Sequence, residues 1–233
     1  AGPGVVCIHS NAASSSQWRG LMDRLAPSFR VLAPDSYGAG KSPEWPSDRV
    51  IALADEAALI EPAIAAAGAP VVLVGHSYGG AVALMAALAD PGRVRALALY
   101  EPTLFALLDQ ADSPNPVDGI RDAVARSVAA LEAGDADAAA GHFIDFWMGT
   151  GSWAQTPPLR KPPIVASIVN VRRWAHALTT EPTPLHAFGA LDMPVLLLSG
   201  RRSPMSSRAV AAHLAPVLPR IELVKFDSIS HIK

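Results

Sequence analysis

Residues 75–80 read Gly75-His76-Ser77-Tyr78-Gly79-Gly80, a Gly-x-Ser-x-Gly pattern. A serine in this pattern can act as a nucleophile if a sharp strand-to-helix turn lifts its hydroxyl clear of a sheet. The flanks provide that context. Upstream, Pro70-Val71-Val72-Leu73-Val74 is an apolar run of the kind that forms a buried parallel strand. Downstream, Ala81-Val82-Ala83-Leu84-Met85-Ala86-Ala87-Leu88 is a strong helix former. Gly75 and Gly79 leave room for a close strand–helix crossing, and the helix start offers free backbone N–H groups where an oxyanion would form. Without such flanks the same residues would be an ordinary glycine-rich turn.

Other chemistry-bearing residues are less patterned. Seven histidines occur, and none stands in an His-Glu-x-x-His or Cys/His cluster, so the spacing points to no metal. Gly38-Ala39-Gly40-Lys41-Ser42 ends like a phosphate-binding loop, but the glycine required at position 35 is Asp35, and the cradle fails. Asp35 reads instead as a loop-ordering residue. No Gly-x-Gly-x-x-Gly follows a strand, so dinucleotide binding has no support. The expectation is a cofactor-free protein. Trp147, Trp153 and Trp174 either line an apolar pocket or pack a helical core, and the second reading is the plainer one.

The elements that would position Ser77 follow from hydrophobic patterning. The chain has 233 residues, 50% of them hydrophobic, enough for one α/β domain with a substantial core. Net charge is −2 and the pI near 6.4, with no charge block, which argues against nucleic acid or an anionic membrane as partner. The single cysteine, Cys7, lies in an apolar run and reads as a small core residue. No signal-peptide pattern and no membrane-length apolar stretch occur, so the expected setting is cytoplasmic. Strands are expected at 4–10, 29–33, 70–75, 94–100, 194–199 and 221–226. Helices are expected at 15–25, 48–67, 78–89 and 206–218. This alternation predicts a mostly parallel, doubly wound sheet. It breaks between 103 and 191, where only helical patterns appear, at 117–133, 135–147, 163–178 and 184–188, separated by proline clusters. The expected organisation is a core of residues 1–102 and 192–233 with an all-helical cap at 103–191 over the sheet's carboxyl edge, where open α/β sheets bind ligands.

The order of these pieces resembles the α/β-hydrolase fold family. Three segments carry the resemblance: the turn at Ser77; His9-Ser10-Asn11-Ala12-Ala13-Ser14-Ser15-Ser16-Gln17-Trp18 directly after the first strand, similar to the family's oxyanion loop with Ser10 in place of the usual glycine; and Pro34-Asp35-Ser36-Tyr37-Gly38-Ala39-Gly40-Lys41-Ser42, similar to its Asp-x-x-Gly-x-Gly-x-Ser loop. The sequence starts at what would be the family's third strand and stops two residues after His231, so the usual first hairpin and final helix are absent from it.

The resemblance implies a catalytic triad in the order serine, acid, histidine. Ser77 is the nucleophile. His231, just past the last expected strand, falls at the family's base position. His9 and His76 read as loop-supporting residues, whereas His142, His176, His186 and His213 read as surface or cap residues, with His142 or His176 able to line a pocket. The acid departs from the usual pattern. After strand 194–199 the family most often places an aspartate, and here Ser203 occupies that slot. Glu101, ending the strand after the nucleophile helix, sits where some members, such as haloalkane dehalogenases, keep their acid, and it is assigned that role. The alternatives are that Glu101 pairs structurally with Arg201 or Arg202, or that Asp227 or Asp192 serves. The oxyanion donors are expected to be the backbone N–H groups of Tyr78 and Asn11. The implied function is a serine hydrolase acting on a small, largely apolar ester through an acyl-enzyme. Alternatives on the same scaffold are a carbon–carbon bond hydrolase, a lactonase, or a non-catalytic ligand-binding protein.

Overall fold

The computed structural model describes residues 2–108 and 115–227. Six strands form one sheet: β1 (Gly4–Ile8), β2 (Arg30–Leu32), β3 (Val71–His76), β4 (Val94–Tyr100), β5 (Val195–Gly200) and β6 (Ile221–Phe226). Their spatial order is β2-β1-β3-β4-β5-β6, and every neighbouring pair is parallel. The chain leaves β1 toward one edge and returns past it to β3. The switch point of the sheet therefore lies between β1 and β3, at whose carboxyl ends a ligand crevice opens. His9 and Ser77 follow those two strands directly.

The apolar runs give the sheet its burial. Val71, Leu73, Leu97, Leu99, Val195 and Leu197 are buried on one face, which is covered by α2 (Leu53–Ala67) and α3 (Tyr78–Ala89). Each such side chain contributes roughly 1.5–3 kcal/mol relative to exposure. The other face, with Val74, Ala98 and Leu198, is half-buried and lines a cleft of about 910 Å³ beside Leu21 and Leu25. Those two residues belong to α1 (Arg19–Leu25). Cys7 is a core residue, as its apolar setting suggests, and burial pushes its thiol up to about 12.

Small residues in α3 let it cross the sheet closely. A Cβ on Gly79 would lie 2.2 Å from the Ile8 carbonyl oxygen, and one on Gly75 would lie 2.4 Å from that of Gly79. No side chain fits at either place, which is the physical reason for glycine in the pattern around Ser77.

Between β4 and β5 the described residues contain no strand. A 3₁₀ turn (Phe105–Leu108) precedes α4 (Asp118–Glu132), α5 (Ala136–Met148), α6 (Ser152–Gln155), α7 (Lys161–Ile168) and α8 (Val171–Thr179), and a second 3₁₀ stretch (Leu185–Ala190) leads back to the sheet. Phe143, Trp147 and Trp174 pack at the centre of these helices, with ring centroids of Phe143 6.1 Å from Trp147 and 6.3 Å from Trp174. Arg173 on α8 pairs with Glu44 at 2.6 Å, tying the insertion to the loop after β2. α9 (Met205–Leu214) follows β5.

Boundaries shift where local hydrogen bonds compete. The helix expected from residue 48 begins at Leu53, because the Asp55 carboxylate accepts the Ala52 N–H at 2.8 Å and pairs with Arg49. The helix expected over 163–178 is two helices meeting at Val169 and Asn170, and it starts earlier, with Pro162 and Pro163 in the first turn of α7, where a missing N–H has no consequence.

Candidate active site

Ser77 sits between β3 and α3 with φ 55° and ψ −118°. This is a strained conformation for a residue with a Cβ. Four hydrogen bonds hold it. Its N–H donates to the Tyr100 carbonyl at 2.9 Å. Its own carbonyl accepts from Gly80 at 2.9 Å, Ala81 at 3.2 Å and Thr103 at 3.3 Å. The other non-glycine residues with positive φ among those described are Ala12, at 55°, and Glu101, at 46°. All three follow the carboxyl ends of adjacent strands β1, β3 and β4. Backbone strain is thus gathered at one rim of the sheet.

Glu101 is fully buried. Its N–H donates to the Leu198 carbonyl at 3.0 Å, and its Oε1 accepts the Gly200 N–H at 2.6 Å. The carboxylate of β4 thus leans onto the end of β5, beside the segment holding Ser203. Ser203 is buried too, and its hydroxyl has no hydrogen-bond partner among the described residues. Asp227 is exposed and paired with Arg201 at 2.6 Å, so that arginine is engaged away from Glu101. Asp192 is exposed and precedes β5. His231 lies outside the described residues.

The loop after β1 is braced by side chains. His9 is buried, its Nδ1–H donating to the Ser10 carbonyl at 2.8 Å while Nε2 accepts the Ser36 N–H at 3.0 Å. Burial pushes its pKa down, only partly offset by the bond to Ser10 and the charge of Asp35, so the ring is neutral and structural. Asp35 accepts the N–H groups of Ser15 at 2.7 Å and Lys41 at 3.0 Å. Partial burial would raise its pKa, but these donors outweigh it and the carboxyl is held below its usual value. Asp35 orders the loop where a phosphate cradle would need glycine. Gln17 is a brace with no clear mark in the sequence: its Oε1 accepts from Ser10 N–H at 3.0 Å and Ser10 Oγ at 2.9 Å, and its Nε2 donates to His76 Nδ1 at 2.9 Å. His76 stacks on Tyr100 with centroids 4.8 Å apart.

A cavity of about 410 Å³ opens between Ser77 and the helical insertion. Asn11, Ser77 and Thr103 line it from the sheet side, and Phe143, Trp147 and Trp174 from the insertion. The tryptophans therefore do both jobs weighed for them, packing the insertion and walling the cavity; Trp153 is buried away from it, under Lys161. His176 lines the cavity, whereas His142 is not among its lining residues. Among the described residues no His, Cys, Asp or Glu cluster of metal-binding size occurs, and no helix is long and apolar enough to cross a membrane.

Residues 3–145 match the family described as the alpha/beta hydrolase fold. The chain belongs to the α/β-hydrolase fold family. A curated relative, lipase LipV of Mycobacterium tuberculosis, is 35% identical over 158 residues, covering 66% of this chain and 52% of that protein. The chain thus spans about half the length of that relative. A pimeloyl-[acyl-carrier protein] methyl ester esterase of Nitrosomonas europaea is 26% identical over 239 residues, covering 99% of this chain and 89% of the esterase. Among solved structures, an α/β hydrolase from Sphaerobacter thermophilus superposes with a TM-score of 0.80 at 27% identity, covering 100% of this chain and 88% of that one.

This α/β-hydrolase chain also carries a buried acid that sequence reasoning passed over. Glu56 on α2 is 2% exposed, accepting the Tyr37 N–H at 3.3 Å and the Tyr78 hydroxyl at 3.4 Å. The available signal was a carboxylate within the buried stripe Leu53, Ala57, Ile60 and Ile64. Burial pushes its pKa from 4.5 up to about 7, against the Tyr37 and Tyr78 hydrogen bonds and the charge of Arg173. Because the folded state holds this proton more tightly than the unfolded chain, stability should fall as pH rises from about 4.5 to about 7. The loss integrates to at most roughly 3 kcal/mol. Glu56→Gln keeps the shape, with the amide oxygen accepting the Tyr37 N–H and the NH2 donating to the Tyr78 hydroxyl oxygen, and removes the titration. Thermal unfolding from pH 4.5 to 7.5 should show this slope flattened and the variant several degrees more stable than wild type at the upper end.

Proposed function

We propose that the chain is a serine hydrolase that cleaves small, largely apolar esters through an acyl-enzyme. Ser77 attacks the carbonyl carbon, the Tyr78 and Asn11 backbone N–H groups receive the oxyanion, and His231 takes the serine proton and passes it to the leaving alcohol. Glu101 orients the imidazole and balances the charge it acquires. Water, deprotonated by His231, then releases the acid product. Residues 103–191 act as a cap that shields the acyl-enzyme from bulk solvent.

The observation that carries this reading is the strained Ser77 opening into an apolar cavity, with a buried carboxylate on the next strand. Reach supports His231 as the base. It lies five residues beyond Phe226, and five extended residues span up to about 17 Å. From β6 to β3 is three strand spacings, about 14 Å. A serine at this turn disfavours haloalkane dehalogenase and epoxide hydrolase chemistry, both of which need a carboxylate nucleophile there.

The cavity is at the small end of ligand clefts. Against p-nitrophenyl esters of graded acyl length, kcat/KM should peak between butyrate and octanoate and fall at least tenfold at palmitate. Absence of turnover on every ester by folded protein would favour a ligand-binding role instead.

A further inference from the structure

Thr103 follows Glu101 and Pro102 and is fully buried, yet it lines the cavity above Ser77. Its Oγ1 has no hydrogen-bond partner among the described residues. Several other buried polar atoms share that state among the described residues, on Trp18, Asn170, Ser203, Ser206 and Ser207. None of those residues lines this cavity. The other two threonines that do line it have already committed their protons within α8: Thr179 Oγ1 donates to the Ala175 carbonyl at 2.8 Å, and Thr180 Oγ1 to the His176 carbonyl at 2.8 Å. A buried hydroxyl left without a partner is unfavourable and uncommon in native folds.

The position of Thr103 relative to the nucleophile is fixed. Its N–H donates to the Ser77 carbonyl at 3.3 Å, and Pro102 packs against Gly80, whose added Cβ would lie 3.0 Å away. Thr103 and Ser77 line the same cavity, so a ligand that fills it meets both residues. The surrounding wall is mostly apolar, which suits a ligand bearing hydrogen-bond acceptors, such as ether, ester or ketone oxygens, better than one bearing donors that need their own partners.

We propose that Thr103 is a specificity-determining residue whose hydroxyl donates a hydrogen bond to an acceptor oxygen of the substrate near the scissile carbonyl. Among small esters the enzyme then prefers those with an acceptor oxygen in the acyl chain over plain fatty esters of the same length. This rests on the serine-hydrolase reading given above. It adds a preference that neither the Ser77 turn nor the apolar cavity implies.

Two isosteric pairs test it: p-nitrophenyl methoxyacetate against butyrate, and p-nitrophenyl 3-methoxypropanoate against pentanoate. In each pair an oxygen replaces one methylene, so intrinsic reactivity cancels when wild type and variant are compared. In Thr103→Val the oxygen-to-methylene ratio of kcat/KM should fall about five- to tenfold in at least one pair, and Thr103→Ser should restore it. The valine variant should keep or raise its Tm, because it replaces an unpartnered hydroxyl by a methyl group. Ratios unchanged in both pairs, or a Tm lowered by several degrees in Thr103→Val, would overturn the proposal. If wild type hydrolyses none of the four esters and Ser77 resists a fluorophosphonate, the serine-hydrolase reading itself has failed and takes this inference with it.

Discussion

Glu101→Gln should lower kcat by about a thousandfold and leave the fold intact. The amide retains an oxygen that can accept the Gly200 N–H, now bound by Glu101 Oε1 at 2.6 Å. The residue is fully buried, so its shape must be kept, and glutamine keeps it. What disappears is the negative charge. In the proposed mechanism the imidazole of His231 becomes a cation in the transition state. A buried carboxylate stabilises that cation strongly, because little water screens the interaction. Loss of an orienting acid with geometry preserved is expected to slow turnover by roughly three to four orders of magnitude. Ser203→Ala should change kcat less than about threefold, since the Ser203 hydroxyl engages no partner among the described residues. Measuring kcat and Tm on both variants separates a charge effect from unfolding. A severe loss in Ser203→Ala with near-normal Glu101→Gln would move the acid's role to the end of β5.

The strength of the Glu101 assignment comes from topology. β4 and β5 are parallel neighbours in register from Leu97 opposite Val195 to Tyr100 opposite Leu198. A carboxylate one residue past β4 and a residue just past β5 therefore reach the same place. Sequence patterning made this legible, because both strands are short apolar runs with sharp ends. The same holds for the turn at Ser77. Its glycines are dictated by approaches of 2.2 Å and 2.4 Å that no Cβ tolerates, so the residue pattern encodes the geometry directly.

Other features left weaker traces. Gln17 bridges Ser10 and His76, the latter 59 positions away in the chain. An exposed-looking glutamine in a polar segment gives no hint of such a partner. Thr103 is notable for a hydroxyl that finds no partner among the described residues, which no sequence pattern reveals. Glu56 stood in a buried stripe, but one carboxylate among small apolar residues does not disturb helical periodicity enough to stand out. Helix boundaries moved where one side chain captured a free N–H, as Asp55 does at the start of α2. Between 103 and 191 prolines stand just before α4 and in the first turn of α7, but the break at Val169 and Asn170 carries none, and which helix faces meet Ser77 depends on packing among Phe143, Trp147 and Trp174, a property of the fold rather than of any local run.

The proposed chemistry requires the Ser77 hydroxyl to be an activated nucleophile. An alkyl fluorophosphonate reports this directly, since the attacking serine oxygen forms a bond to phosphorus and fluoride leaves. Intact-mass spectrometry of folded protein should show one adduct per chain, mapped by peptide digestion to Ser77 and absent in Ser77→Ala, whose ester turnover should fall to background. Folded wild type that stays unlabelled, or equal labelling of Ser77→Ala, would contradict the account.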